Sequence, residues 1–340
     1  MADLFSSILQ RAALGLLFFV IAGCSQKPEL VKLSGDTMGT RYNISLMAPG
    51  DFEAEAAQQQ LDALLQAFNQ IASTYEPKSE VNALSAMTLE DWHDISHTLS
   101  DMLLISLEVN WLTGGAFDVT ISPLVELWGF GAERRRQHVP SQSAIDAALE
   151  ETGFRHLQLD LTEPRIKIKQ PVTVDLSGVA KGYGVDMVAQ WLERQGVANY
   201  LVEIGGEIRA AGQSARGDVW RVGIEKPQGL AAGVQQAIRV SGVGLATSGD
   251  YRNYFEDNGT RYSHTLDPKT GYPIKHRTAS VTVIAENAAY ADALATGLLV
   301  LGGDKALKLA ETHNLAIFVI EKTDSGFETR WSKAFEPYLD

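Results

Sequence analysis

The chain has 340 residues, 45% of them hydrophobic and 21% charged, and a formal net charge of −13. That length and apolar fraction support a sizeable core, in one catalytic unit or two coupled lobes. The negative charge argues against a nucleic-acid partner, whose surface calls for clustered Lys and Arg; any anionic ligand must be met by a metal or by a few placed cations.

Arg11 precedes an apolar run over 12–22 that is too short for an ordinary membrane span and ends in Ile21-Ala22-Gly23-Cys24. This segment resembles a bacterial lipobox. It implies a signal peptide over 1–23, a lipidated Cys24 as mature N-terminus, a short tether to residue 29 and a folded domain over 30–340. Cys24 is the only cysteine, so the mature domain forms no internal disulfide, and lipidation accounts for a lone cysteine in an exported chain.

Residues 30–47 alternate in strand fashion around Gly35-Asp36, with Tyr42, Ile44 and Leu46 on one face, and predict an opening hairpin that carries Met38-Gly39-Thr40. Leu61, Leu64, Leu65, Phe68 and Ile71 recur at helical spacing. A loop at 73–77 follows, then a helix over 95–112 that stops at Gly114-Gly115. The stretch 119–136 reads as irregular, 140–151 as a helix capped by Ser141, and 157–159 with 166–168 as a hairpin. A strand over 172–175 leads into a helix over 180–195. Short strands fill 200–266, and the Asn258-Gly259 turn places His264 near a strand end, just before Asp267-Pro268. A strand over 280–284, a helix over 288–300, a helix after Asp304 and a strand over 315–320 complete the domain. Helices and antiparallel hairpins are mixed rather than regularly alternating, so the fold class is α+β rather than a doubly wound parallel sheet.

Four segments carry chemistry. Asp175-Leu176-Ser177-Gly178-Val179-Ala180-Lys181-Gly182 opens a helix, whose unpaired N–H groups and Lys181 suit a phosphate or diphosphate; taken alone it reads first as a capped helix with a surface lysine. Neither a Walker loop nor a Rossmann glycine fingerprint is present. Asp292 and Thr296 share a helical face, so a carboxylate and a hydroxyl can reach one hard cation, although a first-turn acid also simply complements the helix dipole. His264, among hydroxyls at a rim, can exchange a proton near neutral pH. Glu203-Ile204-Gly205-Gly206-Glu207-Ile208-Arg209 reads first as a tight turn between strands.

Taken together with Met38-Gly39-Thr40, Ser73-Thr74-Tyr75, Ala116-Phe117-Asp118, Thr247-Ser248-Gly249 and Ala291-Asp292-Ala293, these segments resemble the ApbE family of FAD:protein FMN transferases over nearly the whole mature chain. The resemblance implies an ApbE-like α+β fold of mostly antiparallel sheets with packed helices, its two lobes forming one catalytic unit. It implies an enzyme that uses Mg2+ to split FAD, releases AMP and attaches FMN through a phosphoester to a Ser or Thr of an acceptor protein, among them subunits of Na+-translocating NADH:quinone reductase and related electron-transport complexes. On this chain, Met38, Tyr75, Ala116, Phe117, Asp118, Asp175, Lys181 and Leu266 are then expected to bind FAD. Gly178, Asp292 and Thr296 are expected to hold Mg2+, and His264 to act as base toward the acceptor hydroxyl. The expected location is a lipid anchor facing the periplasm on the inner membrane, where such acceptors sit, although Ser25 stands where an aspartate would signal inner-membrane retention. An FAD pyrophosphatase, a non-catalytic flavin-binding lipoprotein and a structural envelope lipoprotein are the alternatives.

Overall fold

The structure, a computed structural model, describes residues 29–132, 137–227, 233–251 and 253–340. Cys24 and the segment 1–23 lie outside the described residues. In chain order the elements begin with β1 (Glu29–Thr37), β2 (Thr40–Ala48), α1 (Ala54–Ala72), α2 (Glu80–Ala83), β3 (Trp92–Asp94), α3 (His97–Leu112), α4 (Ser122–Leu127) and α5 (Gln142–Glu150). The middle of the chain forms β4 (Leu157–Leu159), β5 (Arg165–Ile168), α6 (Ala180–Arg194), β6 (Tyr200–Ile204), β7 (Glu207–Ala211), β8 (Trp220–Glu225) and β9 (Val234–Val240). Then come β10 (Val243–Gly249), β11 (Tyr254–Asp257), β12 (Thr260–Ser263), β13 (Thr278–Ala285), α7 (Ala288–Leu301), α8 (Gly303–His313), β14 (Ala316–Thr323) and β15 (Gly326–Trp331).

One eight-stranded sheet in the order β1-β2-β6-β7-β10-β13-β14-β15 organises the molecule, and every neighbouring pair in it is antiparallel. Its central strands are covered on both faces, so they read as apolar runs without polar alternation. In β14, Ile317 and Val319 join the helical side with α7, whereas Phe318 and Ile320 face a second layer formed by Trp220, Ile238 and Phe335. The smaller sheets β3-β5-β4, β8-β9 and β11-β12 lie outside this frame. Among the described residues no helix is long and apolar enough to cross a membrane.

Four expectations are corrected. The β1–β2 turn falls at Met38-Gly39, not Gly35-Asp36: both turn residues have positive φ (50° and 70°) and Thr37 pairs with Thr40, the geometry of a two-residue hairpin turn. Gly35 stays extended inside the ladder, opposite Tyr42. Residues 172–175 join no ladder; the Asp175 N–H bonds the Val119 carbonyl instead. The stretch 119–136 contains α4, whose Pro123 sits in the first turn, where its missing N–H costs no helical bond. The chain also extends past residue 320 into β15, which shields the edge of β14.

Candidate active site

The site forms where α6, α7 and β10 press together. A Cβ on Gly182 would collide with the Ala288 carbonyl, and one on Gly244 with the Ala288 N–H, so only glycine allows this approach. Asn287 caps α7 by accepting from the Tyr290 N–H at 2.8 Å. Asp186 on α6 adds a second cap, accepting from the N–H groups of Ala288 at 3.0 Å and Ala289 at 2.9 Å while Arg209 donates to it at 3.0 Å. These contacts fix the register of α7 against α6.

That register brings one carboxylate to the floor of a cleft of about 650 Å³. Asp292 is the only charged residue of α7 and is 2% exposed. A buried, isolated carboxylate is costly unless it is paired or holds a ligand. Its Oδ2 accepts from the Gly182 N–H at 3.0 Å, in the first turn of α6, and lies 3.6 Å from the Lys181 ammonium. On its other side Lys181 is also 3.6 Å from Glu207 at the start of β7. Burial raises both carboxyls above their usual range, against the pull of Lys181. Burial alone would lower the Lys181 ammonium; Asp292 and Glu207 reverse this and keep it charged.

One turn beyond Asp292, the Thr296 hydroxyl lies 2.9 Å from that of Ser248 on β10. The backbone of Gly178 passes the same point: a Cβ there would lie 3.5 Å from Thr296 Oγ1 and press on the Phe117 ring at 2.8 Å. Among the described residues no three His, Cys, Asp or Glu side chains converge on a metal site. The floor instead offers a carboxylate and two hydroxyls, which are hard oxygen donors, with the Gly178 backbone running beside them. Such a set fits Mg2+, which takes one or two carboxylates and completes its shell with water and substrate phosphate.

Tyr75, Ala116, Phe117, Asp118, Asp175 and Leu266 line the cleft, together with Lys181, Gly178, Asp292, Thr296 and His264. The Tyr75 ring is 63% exposed at the mouth. The Asp118 carboxylate accepts from the Thr120 N–H and hydroxyl at 2.9 and 2.6 Å, from the Phe154 N–H at 3.1 Å and from Asn110 at 3.4 Å. It thereby fixes the course of the 116–118 strip. Met38 is not on the cleft wall; its thioether packs against Gly184 of α6, behind the floor.

His264 follows directly after β12. Its Nδ1 lies 3.0 Å from the Asn253 carbonyl, which can only accept, so Nδ1 carries the proton and Nε2 is the basic nitrogen. The Phe130 ring meets the imidazole edge-on at 6.3 Å. Burial lowers the pKa of His264, outweighing the Asn253 carbonyl and Asp250, so the ring is neutral near pH 7. Glu207, Ser248 and Asn253 are floor and rim residues to which sequence reasoning assigned no role. Glu207 carried a usable signal, an acid directly after a Gly-Gly turn at the head of a buried strand.

The ApbE family model matches residues 38–319. A FAD:protein FMN transferase of Vibrio cholerae is 43% identical over 94% of this chain and 96% of its own length. A Haemophilus influenzae protein of the same name is 42% identical over 93% of each. The solved structure of flavin transferase ApbE from Vibrio cholerae superimposes with a TM-score of 0.85 at 42% identity, covering 92% of this chain and 100% of that one. The apo form of the Pseudomonas stutzeri flavinyl transferase gives 0.84 at 38% identity, over 92% and 98%. Sequence and fold agree, and the chain belongs to the ApbE family.

Proposed function

We propose that this chain is a Mg2+-dependent FAD:protein FMN transferase. The observation that carries the proposal is one cleft with an oxygen-donor floor, a helix N-terminus and Lys181 suited to a diphosphate, and a neutral histidine at its rim. An acidic chain can bind a diphosphate only where such groups offset the repulsion locally.

Tyr75 and Leu266 offer the flavin and adenine rings apolar surface, and the 116–118 strip, Asp175 and Lys181 offer polar contacts. Met38 supports the floor from behind. Asp292, Thr296 and the Gly178 carbonyl would hold Mg2+, which when bound would neutralise charge on the diphosphate. The acceptor hydroxyl oxygen attacks the FMN-side phosphorus. As that P–O bond forms, its proton passes to His264 Nε2, and the P–O bond to AMP breaks, with the bridging oxygen leaving on AMP. Lys181 stays protonated beside the departing charge.

The resemblance of the chain to its family supports acceptors among the flavinylated subunits of Na+-translocating NADH:quinone reductase and related electron-transport complexes. Ile21-Ala22-Gly23-Cys24 supports a lipid anchor at Cys24 facing the periplasm, and the acceptors' membrane favours the inner one. The test is to incubate the purified domain with FAD, Mg2+ and candidate acceptors and to look for covalent FMN on a Ser or Thr by mass. AMP and free FMN formed without an acceptor would identify a pyrophosphatase instead. Tight FAD binding without turnover would identify a carrier.

A further inference from the structure

Lys181 occupies the second position of α6, where the helix dipole disfavours a cation. It is held there by two carboxylates at the same distance, Asp292 and Glu207, each 3.6 Å from Nζ, while it also donates to the uncharged Ser177 carbonyl at 3.4 Å. Asp292 has other partners in the Gly182 N–H and the proposed cation. Glu207 is 3% exposed; among the described residues its Oε2 has no hydrogen-bond partner, its own backbone N–H bonds the carboxylate, and Lys181 is the cation that acts on it. Without Glu207 the ammonium would have a single counter-charge and would close on Asp292, the carboxylate that the metal needs.

We infer that Glu207 is a positioning residue that draws Lys181 away from Asp292, so that the cation and the ammonium occupy the floor together instead of competing for one carboxylate. The inference rests on the assignment of Mg2+ to Asp292 and Thr296. It predicts a coupling between metal affinity and Glu207 that runs through Lys181, since both charges act on the same oxygen atoms.

The experiment measures Mn2+ binding by electron paramagnetic resonance on the flavin-free protein, because Mn2+ takes the same hard oxygen ligands as Mg2+. Glu207→Gln keeps the side-chain shape and removes the charge, and Mn2+ affinity should fall about tenfold, within the usual range of coupling between sites. Lys181→Met should tighten Mn2+ binding. In the Lys181→Met background, adding Glu207→Gln should then change affinity by less than about twofold. Glu207→Asp, which keeps the charge, should retain most of the wild-type affinity and gives a second reading should the glutamine variant fold poorly. An equal loss from Glu207→Gln with and without Lys181 would overturn the inference, because Glu207 would then act through its own field. No loss at all, or no tightening in Lys181→Met, would overturn it as well. Asp292→Asn locates any failure: retained Mn2+ affinity there overturns the cation assignment and this inference with it. Loss there, combined with a Lys181-independent effect at Glu207, overturns the positioning role alone.

Discussion

Replacing His264 by alanine separates chemistry from binding, because the imidazole stands at the rim while the floor and the ring-binding walls are built by other elements. Its Nδ1 is committed to the Asn253 carbonyl, which leaves Nε2 to take the acceptor proton. Burial holds its pKa under the ordinary histidine value, which favours the neutral, competent ring near pH 7. A general base contributes about 100- to 10,000-fold, and His264→Ala should lose that much flavin-transfer rate while FAD affinity changes by less than about threefold. The assay is single-turnover transfer to an acceptor, with FAD affinity measured separately by fluorescence. The pH profile supplies the sign. Below the lowered histidine pKa, wild-type kcat/KM should fall about tenfold per pH unit as Nε2 becomes protonated, and the alanine variant should lack this acid limb. Its deficit should also shrink at high pH, where hydroxide can replace the base. A normal rate in the variant, a loss explained by weaker FAD binding, or an acid limb that survives the substitution would each refute the assignment.

Asp292→Ala should abolish Mg2+-dependent turnover and weaken FAD binding, since the metal screens the diphosphate; an unchanged Mg2+ titration would show that the cation binds elsewhere. Asp186→Ala leaves the buried Ala288 and Ala289 N–H groups without their acceptor, while Arg209 keeps the Glu286 carbonyl at 3.3 Å. At about 1–3 kcal/mol for each of these two buried unsatisfied donors, it should cost about 2–6 kcal/mol in urea unfolding, and a loss under about 1 kcal/mol would mean that the carboxylate is not what secures α7. Cys24→Ser should shift the protein from the membrane to the soluble fraction with near-normal transfer activity, and a wild-type mature chain that starts elsewhere without lipid would rule out the anchor.

Features set by neighbours along the chain were legible in the sequence. Asp292 and Thr296 share a face because they lie one helical turn apart on a segment whose helicity is plain from its composition. His264 stands at the end of a strand because Asn258-Gly259 supplies two left-handed residues for the hairpin before it. Ser141 caps α5 by accepting from the Ala144 N–H, as serine before an apolar-periodic run should. The Met38-Gly39 turn was within local reach too, but two adjacent glycine-containing pairs competed for it, and the register with Thr37 opposite Thr40 decided the outcome. The rest depends on groups far apart in sequence. Lys181 meets both Glu207 and Asp292 only because β7, β10 and β13 are ordered as they are in the sheet and because Gly182 and Gly244 let α7 approach within backbone contact. Tertiary packing likewise commits Asp118 to the Phe154 and Thr120 backbone, and turns Met38 toward Gly184, behind the floor. Spacing along a chain fixes which residues share a turn or a face; which carboxylate is buried, and what charge it faces there, is set by close packing between elements that sequence distance does not encode.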